Sequence, residues 1–125
     1  MQVAYHGGHV AVAGGKRYGG RQLDRSRGSF DQLAEIVDAV GDKIDVLFDG
    51  GVHRGTHVLK ALSLGAKAVG ISRFYLFPLA AAGQLGVERA LGLLRAEIER
   101  DMRLMGCSSI EQLSRGHLRF RNSLH

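Results

Sequence analysis

The succession of extended and helical segments restricts the fold of this chain more than any other feature of its sequence. Segments with strand character alternate with segments of helical periodicity, in the order 2–13, 29–40, 43–51, 56–65, 66–72 and 84–105. Such alternation is typical of right-handed crossovers between parallel strands. The sequence therefore predicts an α/β fold built on a parallel sheet.

Capping residues mark the ends of the first two helices. Ser29 and Gln32 form a capping-box pattern at the start of the first helix, and Gly41 follows its end. We expect Thr56 to be the N-cap of the second helix and Gly65 to be its C′ residue. The first helix also carries an apolar stripe at i, i+3, i+4 and i+7, which consists of Leu33, Ile36, Val37 and Val40.

Two interpretations remain for the amino-terminal segment. In the first, Gly7 and Gly8 close a β-hairpin. In the second, only residues 9–13 form a strand, and the preceding residues are a loose lead-in. The later run at 66–72 is almost continuously apolar, which is typical of a parallel strand that is buried on both faces.

The carboxyl-terminal third is predicted to be mostly helical. A short helix in FYLFPLAAAG precedes the long helix at 84–105, and Ser108 with Glu111 forms a second capping box. The polar tail that starts at Arg115, and with it the segment 119–125, is expected to fray. One face of the long helix is apolar, and its members are Val87, Leu91, Leu94, Ile98, Met102 and Met105.

Length and composition fit one domain that spans residues 1–125. The chain is 45% hydrophobic, which favours a folded core over disorder. Its single cysteine, Cys107, excludes an intrachain disulfide framework and a cysteine-rich zinc site. No apolar run reaches the ~18 residues of a membrane span, and no basic segment followed by an apolar one opens the chain. We therefore expect a cytoplasmic protein without a membrane partner.

The charge balance favours an anionic partner. The formal net charge is +5 at pH 7, but the cations are scattered and do not interleave with aromatic residues in a long basic run. This distribution disfavours nucleic acid and leaves phosphate-bearing small molecules as the expected partners. His6, His9 and His53 lie on separate segments without short spacing, so no metal site is predicted.

Each predicted strand is followed by a glycine-containing turn that carries a cation. The turns read GGKRYGGR, DGGVHRG and GISRF. Because the carboxyl ends of parallel strands meet at one edge, we expect Arg21, His53, Arg54 and Arg73 to be neighbours there, where glycine-turn amides add donors for an anion. The helix that begins at Thr56 is expected to present its positive end to the same edge. The alternative is that each arginine is merely solvated.

Three stretches of the sequence resemble a known family. They are GGRQLD, DGGVHRGTHVLKALSLGAKAVGISRFYL and GVERALGLLRAEIERDMRLMGCSSIEQL. They resemble the carboxyl-terminal part of the FMN-dependent 2-hydroxy acid dehydrogenases and oxidases, a family that includes glycolate oxidase, flavin-linked L-lactate dehydrogenase and mandelate dehydrogenase. The resemblance runs from about residue 16 to about residue 118, and it is poor over 1–15.

The resemblance implies a TIM (β/α)8 barrel of which this chain supplies about three strand–helix units and the terminal helices. It implies FMN at the strand ends and the oxidation of a small 2-hydroxy acid to a 2-oxo acid. In the family a base histidine precedes the turn that holds GGRQLD, and Tyr18 stands at that position here. Arg21 matches the arginine that grips the substrate carboxylate, a task suited to a bidentate donor.

The cofactor-binding residues implied by the resemblance fall on two turns. Asp49, Gly50 and Gly51 match the start of the stretch that contacts FMN. His53 stands where the family has a phosphate-contacting arginine, and Arg54 matches the basic residue after it. The glycine–arginine pair of the last strand, also at the phosphate, corresponds to Ser72 and Arg73 here, which together complete the expected cofactor site.

Three functions stay open at this point. The first is the family's flavin oxidoreductase chemistry in a truncated form, with activity only when the rest of the barrel is supplied. The second is a non-catalytic half-barrel that binds FMN or phosphate, and the third is a structural fragment without a ligand. Because three strands cannot close a barrel, we expect a homo-oligomer or a complementing barrel half as partner. A tyrosine, with its pKa near 10, is a poor base at neutral pH, so the isolated chain is expected to be inactive.

Overall fold

The computed structural model describes residues 4–6, 10–14 and 29–120. The strands are β1 Ala4–His6, β2 Val10–Gly14, β3 Asp45–Asp49 and β4 Ala68–Gly70. The helices are α1 Ser29–Val40, α2 Gly55–Leu64 and α3 Leu76–Leu104. Short 3₁₀ turns occupy Ser72–Tyr75, Ile110–Gln112 and Arg115–His117.

The four strands form one sheet in the order β1-β2-β3-β4. β1 and β2 are antiparallel, with His6 opposite Val10, which confirms the hairpin interpretation of the amino-terminal segment. β2 with β3 and β3 with β4 are parallel, and they are connected through α1 and α2. The alternation in the sequence thus correctly predicted an α/β arrangement with parallel strands.

The core lies where α1 and α2 cover one face of β3. Val46 and Phe48, two residues apart and therefore on the same face of the strand, are 1% and 0% exposed. Leu33 of α1 packs into this cluster with 0% exposure, and the rings of Phe30 and Phe48 lie 4.4 Å apart. Leu47, on the opposite face of β3, is only partly buried. The helices therefore bury one face of the sheet more completely than the other.

The predicted burial of β4 on both faces is wrong for this chain. β4 comprises only three residues, and Ala68 is exposed while Val69 is partly buried. The reason is position: β4 is an outer strand of the sheet and pairs with β3 alone among the described strands. An apolar run shows that a strand is suited to burial on both faces. Whether the strand is buried depends on the helices and strands that pack around it.

The observed helix ends agree only in part with the capping residues predicted from the sequence. Gly65 ends α2 in the left-handed conformation, with φ 113°, as predicted. Thr56 is not the N-cap, because α2 starts one residue earlier and the extended residue before it is Arg54. Ser29 is the first residue of α1, and its hydroxyl donates to the carbonyl oxygen of Gly50 at 3.5 Å.

α3 is interrupted at Ala82 and Gly83, where φ changes to −150° and 57°. The break separates the predicted short helix from the predicted long one. Of the predicted apolar face, only Leu94 is buried, at 8% exposure, and Leu91 stays 42% exposed. No helix among the described residues is both long enough and apolar enough to cross a membrane.

The segment after α3 contains two short 3₁₀ turns. Ser109, not Ser108, precedes the Ile110–Gln112 turn, and the Ser108 amide and hydroxyl both donate to the Gln112 side chain, the amide at 2.7 Å. At the start of the tail that was predicted to fray, the Arg115 guanidinium lies 2.7 Å from the Asp38 carboxylate of α1. Residues 121–125 of the predicted frayed tail lie outside the described part of the chain.

Candidate functional site

Three parallel strands end in register at one edge of the sheet. Asp49 of β3 lies opposite Gly14 of β2 and opposite Gly70 of β4. The turn 50–54 and the turn that begins at Ser72 therefore leave the sheet side by side, as the sequence predicted. Tyr18 and Arg21, which follow β2, lie outside the described residues, and their predicted roles stay predictions.

The turn after β3 depends on two glycines. Gly50 and Gly51 have φ values of 124° and 70°, where side chains other than glycine are strained. A Cβ placed on Gly51 would meet no atom of the described residues within 4 Å, so these residues leave space beside the turn. Val52 is 3% exposed and anchors the turn in the core. The turn thus presents its backbone to this space while its centre is fixed.

Asp49 is held against the end of β4. A Cβ on Gly70 would lie 2.9 Å from Asp49 Oδ1, so the absence of a side chain at Gly70 leaves room for the carboxylate. Oδ1 is buried and has no hydrogen-bond partner among the described residues. A buried carboxylate oxygen without a donor is costly. The position therefore suits a ligand that brings a hydrogen-bond donor, such as a hydroxyl group.

His53 is exposed, and its backbone is tethered to the next helix. Its N–H donates to Nδ1 of His57 at 3.3 Å, so this ring nitrogen acts as the acceptor. The His57 ring meets the Phe30 ring edge-on, with 6.3 Å between the centroids. His57 was not among the residues predicted from the sequence, although it lies only four positions after His53, across the start of α2.

Arg54 is directed towards α3 by an ion pair. Its guanidinium lies 3.5 Å from Oε1 of Glu97, and Oε2 of the same carboxylate accepts the Gly55 N–H at 2.7 Å. The Gly55 hydrogen bond, followed by the charge of Arg54, lowers the pKa of Glu97. A carboxylate of the chain therefore occupies the first N–H group of α2, and that group is not available to a ligand.

Arg73 supplies a cation at the end of β4. It is exposed and lies within the Ser72–Tyr75 turn, where the Phe74 N–H donates to the Ile71 carbonyl at 2.8 Å. The predicted residues of the two turns are therefore brought to one edge. Within the part of the chain that the structure describes, no group of three or more His, Cys, Asp or Glu side chains could hold a metal ion.

A sequence model of the FMN-dependent dehydrogenase family matches residues 3–120. The chain belongs to this family. The match begins within the segment 1–15, where the sequence motifs gave only a poor resemblance. Members of the family depend on FMN, and those named below include oxidases and dehydrogenases of 2-hydroxy acids.

Curated relatives are about half identical to this chain. The peroxisomal (S)-2-hydroxyacid oxidase GLO3 of Arabidopsis thaliana is 48% identical over 105 residues, which are 84% of this chain and 29% of the relative. The L-lactate dehydrogenase (cytochrome) of Wickerhamomyces anomalus is 48% identical over 119 residues, 91% of this chain and 20% of the relative. The chain therefore spans less than a third of the length of these relatives.

Solved structures of family members share the fold of this chain over most of its length. A soluble mutant of the membrane-associated (S)-mandelate dehydrogenase from Pseudomonas putida is 39% identical, with a TM-score of 0.81 over 92% of this chain and 32% of that one. The flavin-binding domain of baker's yeast flavocytochrome b2 is 42% identical, with a TM-score of 0.74 over 90% of this chain and 32% of that one.

Proposed function

We propose that this chain forms the carboxyl-terminal part of a TIM-barrel flavoenzyme that oxidises small 2-hydroxy acids to 2-oxo acids, and that its strand-end edge binds FMN. The observation that carries the proposal is the register of β3 and β4. By placing Asp49 opposite Gly70, it brings the turn 50–54 beside the turn that carries Arg73. In parallel α/β folds, ligands bind at this edge.

The residues at this edge fit the two kinds of polar group that FMN carries. The buried Oδ1 of Asp49 requires a donor, which a ribityl hydroxyl group supplies. The phosphate requires cationic or hydrogen-bonding side chains and amides, which Arg73, His53 and the Gly50–Gly51 turn supply. Arg54 contributes charge near the site, while Glu97 holds its guanidinium. Ser72 is the first residue of the Ser72–Tyr75 turn, which carries Arg73.

FMN, when bound, supplies the electron acceptor for the oxidation, and the chain's own residues supply binding and orientation. We assign Arg21 to the substrate carboxylate, because a guanidinium binds a carboxylate through two parallel hydrogen bonds. Tyr18 stands where a base is required, and a phenol of ordinary pKa stays protonated at neutral pH. We therefore infer that the isolated chain binds its ligand without turning over a 2-hydroxy acid.

The FMN site is tested by comparing FMN with riboflavin, which lacks the phosphate. Flavin fluorescence titrations give the dissociation constants of both ligands for the unaltered chain, Arg73→Ala and Lys67→Ala. Lys67 is an exposed cation at the opposite end of β4, so its removal changes the net charge equally. Arg73→Ala is expected to weaken FMN roughly ten- to hundredfold and riboflavin little, since a charge-assisted hydrogen bond contributes ~1.5–3 kcal/mol. An FMN affinity that is equal in both variants contradicts the site.

A second candidate function is flavin or phosphate binding without catalysis, and Tyr18 is the observation that favours it. Mixing the FMN-loaded chain with L-lactate or glycolate under anaerobic conditions tests whether the isolated chain is inactive. Catalysis bleaches the flavin, whereas a binding module leaves its absorbance unchanged. The variant Tyr18→His serves as the matched comparison, because a missing general base accounts for roughly 10²–10⁴-fold in rate. Rapid bleaching of the unaltered chain disproves the assignment of inactivity.

A further inference from the structure

Glu97 bridges α3 to the end of the turn that follows β3. Its two carboxylate oxygens contact consecutive residues, Oε2 the Gly55 N–H at 2.7 Å and Oε1 the Arg54 guanidinium at 3.5 Å. The side chain is only 28% exposed, and its carboxylate ion is favoured because the Gly55 hydrogen bond lowers its pKa. One charged side chain of a different helix therefore fixes the point where the turn becomes α2.

The backbones of α2 and α3 are in close contact at Gly55. A Cβ on the buried Gly55 would lie 2.7 Å from Cβ of Glu97 and 2.8 Å from the backbone nitrogen of Ile98. Such a close approach leaves the Glu97 side chain little freedom, because its Cα is already adjacent to its hydrogen-bond partner. The bridge is therefore a short and rigid connection.

The turn itself is held at several separate places. The Ser29 hydroxyl reaches the Gly50 carbonyl at 3.5 Å, buried Val52 anchors the centre, and the His57 ring accepts the His53 N–H. Because Gly50 and Gly51 carry no side chains to restrain them, the orientation of their amides depends on these attachments. Glu97 provides the attachment at the end of the turn, through the shortest of these hydrogen bonds.

We propose that Glu97 is a positioning residue for phosphate recognition: by holding Arg54 and Gly55, it keeps the Gly50–Gly51 amides and His53 in the orientation that receives the FMN phosphate. This inference rests on the proposed function of the site. Glu97 needs no contact with the cofactor for this role, because it acts through the turn. Its removal is expected to reduce the advantage that the phosphate gives to FMN over riboflavin.

The variants Glu97→Ala and Glu97→Gln test the proposal, with Glu99→Gln as the control. Glu99 lies on the same helix and pairs with Arg95 at 2.7 Å, so its neutralisation removes the same charge without touching the turn. Glu97→Ala is expected to lower the ratio of FMN to riboflavin affinity about twofold to tenfold. Glu97→Gln is expected to retain part of it, since an amide oxygen still accepts the Gly55 N–H. A general loss of stability weakens both ligands alike and leaves this ratio unchanged, and an unchanged ratio in Glu97→Ala overturns the proposal.

Amide hydrogen exchange supplies a readout that needs no ligand. In Glu97→Ala the amides of residues 50–55 are expected to exchange faster, while those of β3 and those of the Glu99→Gln control keep their rates. If the unaltered chain shows no preference for FMN but this change occurs, the proposed function fails and the positioning of the turn stands. Unchanged exchange at residues 50–55 refutes the positioning role, whatever the chain binds.

Discussion

Gly55 is the position where a single added methyl group tests the packing of the site most directly. In Gly55→Ala the new Cβ would meet Glu97 Cβ at 2.7 Å and the Ile98 nitrogen at 2.8 Å, whereas unstrained contacts of this kind lie at ~3.5–4.0 Å. The atoms that must move belong to the backbone region of α3, so rotation of a flexible side chain cannot relieve the overlap. We expect α3 to shift by roughly 1 Å at this point, which weakens the hydrogen bond of the Gly55 N–H to Glu97.

The expected loss of stability follows from these distances. Overpacking by one methyl group typically costs ~1–3 kcal/mol, and the higher helix propensity of alanine returns at most ~1 kcal/mol. With a typical overpacking cost of ~2 kcal/mol, the net destabilisation is about 1–2 kcal/mol, which corresponds to a drop in Tm of roughly 3–8 °C for a domain of this size. Thermal and urea unfolding followed by circular dichroism measure it.

The control is Gly92→Ala on α3, the helix against which Gly55 packs. A Cβ on Gly92 would have no neighbour among the described residues within 4 Å, so only the propensity gain remains, about 0.5–1 kcal/mol of stabilisation. The two substitutions should therefore move Tm in opposite directions. A Gly55→Ala variant that melts at or above the Tm of the unaltered chain refutes the close approach of α2 and α3.

Three further measurements address the core, a carboxylate and a surface pair. Leu33→Ala, at 0% exposure, should lower the free energy of unfolding by ~2–5 kcal/mol, whereas Leu85→Ala, at 75% exposure, should change it by less than ~0.5 kcal/mol; urea titrations compare them. Because the folded pKa of Glu97 lies below its ordinary value of 4.5, its stabilising contribution is present above that value and is lost as the pH falls through the lowered pKa, so Glu97→Gln should flatten the pH dependence of Tm below pH 4.5. Arg115→Ala should cost under ~1 kcal/mol in urea, since both partners of its ion pair with Asp38 are largely exposed, and a larger loss contradicts the picture of a solvated pair.

Local patterns in the sequence identified the elements that depend on local interactions. The stripe that contains Leu33 and Ile36 buries these two residues against the sheet, and Gly65 ends α2 with the positive φ that its glycine allows. The parallel order of the strands also followed from their alternation with helices. These features are set by periodicity and by backbone freedom within a few residues, which is the range over which a sequence can be interpreted directly.

Features that depend on tertiary contact were missed. Nothing in the sequence pairs Glu97 with Gly55, because 42 residues separate them and only the packing of α3 on α2 brings them together. Thr56 satisfied the usual capping rule, yet the distant carboxylate of Glu97 accepts the first N–H group instead. The convergence of the two turns was predictable from topology. The pairing of Arg54 with Glu97 of α3 was not predictable.

The last prediction concerns the apolar surface that follows β4. Four consecutive or nearly consecutive large side chains stay substantially exposed after this edge strand: Tyr75 at 42%, Leu76 at 45%, Phe77 at 73% and Leu79 at 45%. A fully buried side chain of this kind contributes ~1.5–3 kcal/mol, so covering their exposed parts returns roughly 1 kcal/mol or more for each. Soluble monomers rarely leave such a cluster open, and a two-fold homodimer is the commonest way to cover it.

We therefore expect the chain to form a homodimer or a higher homo-oligomer at micromolar concentration, with Phe77 inside the interface. Size exclusion coupled to light scattering measures the mass of the unaltered chain, of Phe77→Asp and of Leu104→Asp. Leu104 is 79% exposed at the far end of α3, so it offers an equally exposed apolar residue at a distance from the proposed interface. Phe77→Asp should shift the protein towards the monomer, because association would bury an unpaired carboxylate, while Leu104→Asp should leave the mass unchanged. A monodisperse monomer with a cooperative melt refutes the expected self-association, and an oligomer that is insensitive to Phe77→Asp refutes the position of its interface.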